Sequence, residues 1–231
     1  MSSDFEDGTQ GFWDRLLRFF KPHKTIPALP WSAAHQWEFG VKRICVLIIG
    51  LVLFGIGDAF IIASNLGNAP WSVLAQGLAL TFEASIGLMT FLVGLTVLLL
   101  WIPLKRRVGL GTVLNVVFIS ASIEVTLRVL PRPSALVGIG YVLIGVILVG
   151  LGSALYLTCG LGAGPRDGLM TGLHEWSGIR IGRIRLVLEL VVLVIGFLLG
   201  GTVGLGTALF ALLIGQSVAI WLGVVSRSTS R

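Results

Sequence analysis

The sequence predicts an all-α membrane protein: about six transmembrane helices in two inverted three-helix repeats, each repeat with a short re-entrant or interfacial half-helix. Composition, span length and an internal duplication predict it. Of 231 residues, 55% are hydrophobic and only 12% charged, with mean hydropathy +0.95; a soluble domain carries about 25% charge. Apolar runs such as Ile44 to Ala63 and Ile139 to Leu157 approach the ~20 residues that cross a ~30 Å hydrocarbon core. The second half of the chain repeats the first at an offset of 95 residues. The ~10-residue alternating segments of a transmembrane β-barrel are absent from the sequence.

A net charge of +6 and a pI near 10.0 fit nucleic-acid binding in a soluble chain. In a chain this apolar they fit basic residues gathered on the cytoplasmic side of a membrane. Cys45 and Cys159 match no metal or redox spacing, and His23, His35 and His174 are too scattered for a metal site. No cofactor, metal or nucleic acid is therefore expected, and without clustered His, Cys or paired carboxylates no enzyme activity is expected.

Residues 1–41 read as a cytoplasmic arm. Asp4, Glu6 and Asp7 stand where the positive region of a cleavable signal peptide would be. Residues 12–21, FWDRLLRFFK, form a short basic amphipathic segment suited to lipid headgroups, and Pro22, Pro27 and Pro30 break the chain after it. Two membrane repeats follow, residues 42–134 and 135–231.

The duplication aligns without a gap. LFGIGDAFIIASNLGNAPWSVLAQGL (53–78) falls on LVGLGSALYLTCGLGAGPRDGLMTGL (148–173), matching Gly55 with Gly150, Gly57 with Gly152, Gly67 with Gly162, Pro70 with Pro165 and Gly77 with Gly172. At the same offset VGLGT (108–112) meets VGLGT (203–207). Apolar residues match easily by chance, whereas glycines and a proline in register do not. Each unit has a first span (about 44–63, then 139–158) ending at a glycine-rich turn. A shorter segment follows (about 70–82, then 165–177), and two spans complete the unit (86–104 and 110–130, then 182–200 and 205–224).

Whether the short segment crosses the membrane decides the topology. Thirteen helical residues reach only ~20 Å, short of the hydrocarbon core. The later copy carries Arg166, Asp167, His174 and Glu175, costly against lipid. With three crossings per unit and the N-terminus inside, 15 of 17 Lys and Arg lie inside; if the segment spans, 13 of 17 remain there, with Lys105-Arg106-Arg107 moved out. An odd number of crossings inverts the second unit, the build of many secondary transporters that bind substrate where broken helices meet.

The turns carry the candidate chemistry. Gly67 and Gly162 permit positive φ or close approach, and Pro70 and Pro165 suit the first helical position. The free N–H groups and positive dipole of the following turn can hold a carboxylate or other anion, with Arg166 adding a two-pronged contact. The candidate substrate-binding set is Asn65, Asn68, Pro70, Trp71, Ser72, Gly162, Gly164, Pro165, Arg166 and Asp167. A plainer reading has Asp167 capping its helix and Arg166 in cytosolic water. No phosphate-loop motif is present: GxxxxGK[ST] is absent, and Pro165 replaces the third glycine of a GxGxxG read from Gly160.

Polar residues within apolar spans are functional candidates by default. Asp58, Asn115, Glu124 and Glu189 form the candidate ion-coupling set. Glu124–Arg128 and Arg185–Glu189 stand at i,i+4 and can also be simple ion pairs. Gly168/Gly172 and Gly196/Gly200 are close-packing pairs, within the bundle or across a homodimer. Trp31, Trp37, Trp101, Trp176 and Trp221 fall near predicted span ends, in the expected headgroup belt.

The paired LG-x-x-P turns, with GLGAGPRDGLMTGL followed by IGRIRLVLELVVLVIGFLLGGTVGLGTALFALLIG, resemble the YczE-type bacterial integral membrane proteins, related to the YitT and YyaS group. The resemblance covers roughly residues 42 to 225. It implies a multi-pass protein of the bacterial plasma membrane and carries no settled biochemical activity. In the family the first turn often reads P-W-D, whereas this chain has Ser72 at the aspartate position. The expected function is secondary transport of a small, anionic or carboxylate-bearing solute, with both termini cytoplasmic. The alternatives are a non-transporting membrane scaffold or regulator, or a binding subunit of a larger import complex. Expected partners are the lipid bilayer, the solute, and a second copy or partner membrane protein.

Overall fold

The computed structural model describes residues 20–23, 25–131 and 133–229. The amphipathic segment at 12–21 lies, except for residues 20 and 21, outside the described residues. Eight helices are described: α1 (Val41–Ala63), α2 (Pro70–Thr81), α3 (Ile86–Leu100), α4 (Leu110–Val129), α5 (Ala135–Thr158), α6 (Pro165–Ser177), α7 (Ile181–Leu198) and α8 (Leu205–Thr229). No strand occurs among the described residues.

Four helices, α1, α4, α5 and α8, are long and apolar enough to cross a membrane, with mean hydropathies of 2.6, 1.7, 2.4 and 2.2. The count becomes five if α2 and α3, bent by 116° at their junction, make one broken span. Helix α3 has 15 residues and ends at Leu100, earlier than the sequence suggests. Helix α7 carries Arg183, Arg185 and Glu189 within 18 residues. Length and hydropathy alone therefore support four or five crossings rather than six.

Glycines set the central crossing. α1 packs on α5 with backbones nearly touching: a Cβ on Gly50 would lie 2.9 Å from the Gly152 carbonyl, and one on Gly57 2.7 Å from the Gly145 carbonyl. As numbering rises along α1 it falls along α5, so the two helices run antiparallel. Helix α4 packs on α1 as α8 packs on α5, and α2 packs on α7 as α6 packs on α3. The match ends at the last pair, since α3 packs closely on α4 without a comparable contact between α7 and α8.

The two glycine turns have nearly the same geometry. Gly67 has φ 109° and Gly162 φ 120°, a region costly for any residue with a Cβ. Pro70 and Pro165 both open their helices, preceded by Ala69 (φ −59°, ψ 149°) and Gly164 (φ −59°, ψ 156°). Each turn seats on the VGLGT of the opposite half. Gly111 N–H donates to the Leu161 carbonyl at 2.8 Å, and Gly206 N–H to the Leu66 carbonyl at 2.7 Å. Thr112 Oγ1 also donates to the Ala163 carbonyl at 2.8 Å.

A strap from residues 29–40 covers the end of α5. Trp31 Nε1 donates to Thr158 Oγ1 at 3.1 Å, Ser32 Oγ to the Thr158 carbonyl at 2.6 Å, and Ala33 N–H to the Cys159 carbonyl at 2.9 Å. Arg43 fastens it by donating to the carbonyls of Trp31, Ser32 and Glu38 and pairing with the Glu38 carboxylate at 3.0 Å. Two of the tryptophans near predicted span ends have hydrogen-bond partners within the protein. Trp31 is part of this strap, and Trp101 is only 2% exposed, with Nε1 donating to the Pro165 carbonyl at 3.0 Å.

Candidate functional site

The half-helices α2 and α6 begin at one cavity of about 270 Å³, lined by Ala69-Pro70-Trp71 from one side and Gly164-Pro165-Arg166-Asp167 from the other. That is just under the ~300–1,000 Å³ of pockets for drug-sized ligands. The wall is built largely from positions that correspond at the 95-residue offset. Phe54 and Val149, Asn115 and Phe210, Ile119 and Ile214, Thr90 and Arg185, and Gly94 and Glu189 all line it, as do the paired turn residues. In these pairs every ionisable member comes from the second half. The cavity thus straddles the two halves but is chemically one-sided.

Arg166 stands at the second position of α6. Its guanidinium stacks over Trp71, with Cζ 5.1 Å from a ring centroid, a cation–π contact across the two half-helix starts. It forms no hydrogen bond or ion pair among the described residues, although it acts through space on Asp58, Asp167 and Glu189. Asp167, next in sequence, accepts from Tyr156 Oη at 3.2 Å through Oδ2. The reading of Asp167 as a helix cap is not supported: its carboxylate, exposed in the first turn of α6, bonds the Tyr156 hydroxyl and no first-turn N–H among the described residues.

Two polar side chains point into the cavity without partners. Asn115 is 9% exposed and Ser153 7% exposed; both line the cavity, and neither side chain has a hydrogen-bond partner among the described residues. Their polar atoms are not sealed off either, unlike those of Asn68 Oδ1 and Trp71 Nε1, which are buried and unpartnered. Buried polar groups are normally satisfied, so open donors and acceptors on a cavity wall mark a place for a polar guest.

Most remaining candidates lie off the cavity. Asp58, 2% exposed, sits behind its wall, and Ser72 Oγ donates toward its two oxygens at 3.0 and 2.8 Å. Asn68 donates to Gln76 Oε1 at 2.7 Å, and that oxygen also accepts from Thr202 N–H at 2.7 Å, pinning the loop before α8. Asn65 is an exposed turn residue with φ 56°. Gly162 packs on Thr112, where a Cβ would come 2.6 Å from Oγ1. Glu124 pairs with Arg128 at 2.8 Å and lines a separate surface depression with Ser85. Glu189 pairs with Arg185 at 3.0 Å, and both line the main cavity. No cluster of His, Cys, Asp and Glu that could hold a metal occurs among the described residues.

Sequence reasoning passed over Tyr156 and Ser153. A signal was present: the chain has only two tyrosines, and Tyr156 opposes Ile61 in the duplication, just ahead of the second turn. Ser153 was visible only as the counterpart of Asp58.

A family model described as a family of unknown function, DUF6198, matches residues 41–222. The chain belongs to this family. The match begins at α1 and ends within α8, so it covers both turns and the cavity between them. A Haemophilus influenzae protein printed as uncharacterized is 46% identical over 208 residues, covering 90% of this chain and 95% of the relative. The Bacillus subtilis uncharacterized membrane protein YczE is 31% identical over 206 residues, covering 84% and 93%. The Bacillus subtilis protein YyaS is 27% identical over 187 residues, covering 78% and 92%. No solved structure matches the chain. Membership of this YczE-type family, with four strongly apolar helices, makes the protein an integral membrane protein.

Proposed function

We propose that the protein is a secondary transporter of a small carboxylate-bearing solute, held between the starts of α2 and α6. The observation that carries this reading is the unpaired Arg166 guanidinium stacked on Trp71 at the wall of a cavity shared by both turns. A guanidinium offers five donors in a planar fork matched to a carboxylate. The first-turn N–H groups of two helices add positive potential at the same point. Since each half supplies one wall, sliding of one half against the other alters access to the solute.

The accompanying topology is six crossings in an inverted repeat in the bacterial plasma membrane, with both termini cytoplasmic, α3 and α7 crossing, and α2 and α6 re-entrant. The antiparallel α1–α5 crossing and the reciprocal seating of the turns support it. Asp58 is the candidate coupling group: it is buried beside Ser72, one helical start from the cavity, and feels the charge of Arg166. No catalysis is proposed.

The test is uptake of radiolabelled small carboxylates and amino acids into proteoliposomes holding the purified full chain, with Arg166→Gln beside it. Uptake above empty liposomes that falls at least tenfold in Arg166→Gln is the expected result. Silence across the panel from folded protein overturns transport in favour of the scaffold reading. A stoichiometric ATPase in the purified material points instead to an import-complex subunit.

A further inference from the structure

The charges at the cavity go further than one carboxylate. Its charged lining residues are Arg166, Arg185, Asp167 and Glu189, which sum to zero. Arg185 and Glu189 satisfy each other at 3.0 Å. Arg166 and Asp167 do not: neither takes part in an ion pair among the described residues, and the carboxylate has only the Tyr156 hydroxyl. Arg166 is half-buried and Asp167 exposed, both line the cavity, and a guest carrying both complementary charges gives each a charge-assisted partner. A plain carboxylate answers Arg166 but brings net negative charge beside Asp167, with Asp58 behind. A dianion does so twice over.

Building on the carboxylate-carrier reading, we infer that the solute is a zwitterion, a small neutral amino acid with an apolar body. Its carboxylate lies on Arg166 and the first-turn N–H groups of α6 and α2. Its ammonium lies on Asp167, with the unpartnered Asn115 amide and Ser153 hydroxyl as further contacts. The body rests against aliphatic and aromatic wall such as Val97, Val149, Ile119 and Phe210. Asn115 and Ser153 make this more than a pair of helix ends. Both are more than nine-tenths buried, both line the cavity, and both lack partners. Tyr156 is a positioning residue that holds Asp167 through its hydroxyl.

The experiment measures thermal stabilisation of the purified full chain in nanodiscs by added ligand. The zwitterions are glycine, L-alanine, L-valine, L-leucine and γ-aminobutyrate. Two analogues of valine separate its charges: isovalerate lacks the ammonium, and valinamide lacks the carboxylate. At least one zwitterion is expected to stabilise. Isovalerate and valinamide are each expected to need about tenfold higher concentration than valine or more, because each lacks one of the two charge-assisted contacts. Asp167→Asn keeps an acceptor for Tyr156 but removes the charge, so it should erase the preference for valine over isovalerate. If isovalerate or valinamide matches valine in the wild type, the zwitterion assignment falls while a solute carrier survives. If no member of the panel stabilises the wild type and uptake is also silent, both readings fall together.

Discussion

Replacing Gly168 with alanine tests how tightly α6 is clamped to the end of α3. On an exposed helix the change is favourable, because alanine exceeds glycine in helix propensity by about 1 kcal/mol. Here the new Cβ would fall inside contact distance of the six-membered ring of Trp101. That ring cannot simply swing away, since Trp101 is 2% exposed and its indole donates to the Pro165 carbonyl at 3.0 Å. Overpacking costs about 1–3 kcal/mol, and loss of the indole bond adds about 1 kcal/mol. Set against the propensity gain, Gly168→Ala should destabilise by about 1–3 kcal/mol. For a chain of this length that corresponds to roughly 2–4 °C per kcal/mol in melting temperature. Size-exclusion recovery after stepwise heating in detergent measures it. Gly215→Ala is the control: it is mid-helix in α8, where nothing lies within 4 Å of the added Cβ, so its melting point should hold or rise. Trp101→Phe should recover part of the Gly168→Ala loss, with a coupling of about 1 kcal/mol. A Gly168→Ala protein that melts at or above the wild type would refute the clamp.

Ser72→Ala removes the hydroxyl that serves both Asp58 oxygens, and should cost about 2 kcal/mol of stability as a lost bond to a carboxylate. Asp58→Asn keeps an acceptor for that hydroxyl, so expression should survive while ion-coupled uptake disappears; unchanged coupling discards Asp58. In a Cys45→Ser background, Arg106→Cys should label with a membrane-impermeant thiol reagent only from the cytoplasmic side, and outside labelling defeats three crossings per half. The Glu38 carboxyl is held below its usual value first by the Ala34 N–H and then by Arg43. Its folded value is depressed, so its contribution to the strap is present above about pH 4.5 and fades as pH falls below that. Limited proteolysis near residues 29–40 should accelerate over the same range in the wild type and show less pH dependence in Glu38→Gln.

The features that local chemistry dictates were legible in the sequence. A proline can open a helix and a glycine can take positive φ whatever surrounds them, so the starts of α2 and α6 fall at Pro70 and Pro165 and the turns at Gly67 and Gly162. Span ends were less certain: α1 begins at Val41 and α5 at Ala135, a few residues before their apolar runs. Contacts between distant elements were not legible. Nothing near Trp101 in the chain announces that the Pro165 carbonyl will meet it, so an interfacial tryptophan and a buried one look alike until the helices pack. The same holds for Asp167, whose first-turn position suggests a cap until Tyr156 arrives from α5. Asp58 and Ser72 were each singled out without any sign that they meet.

The reciprocal seating of the turns also orders events during synthesis. The Leu66 carbonyl receives its partner from Gly206, 140 residues later in the chain. The second turn finds Gly111 already made. A ribosome that has delivered α1 to α7 into the bilayer has therefore delivered a finished second turn and an open first one. The first turn closes only as α8 inserts, so a chain stopped before Gly204 would carry all of its charged wall residues and still lack one side of the cavity.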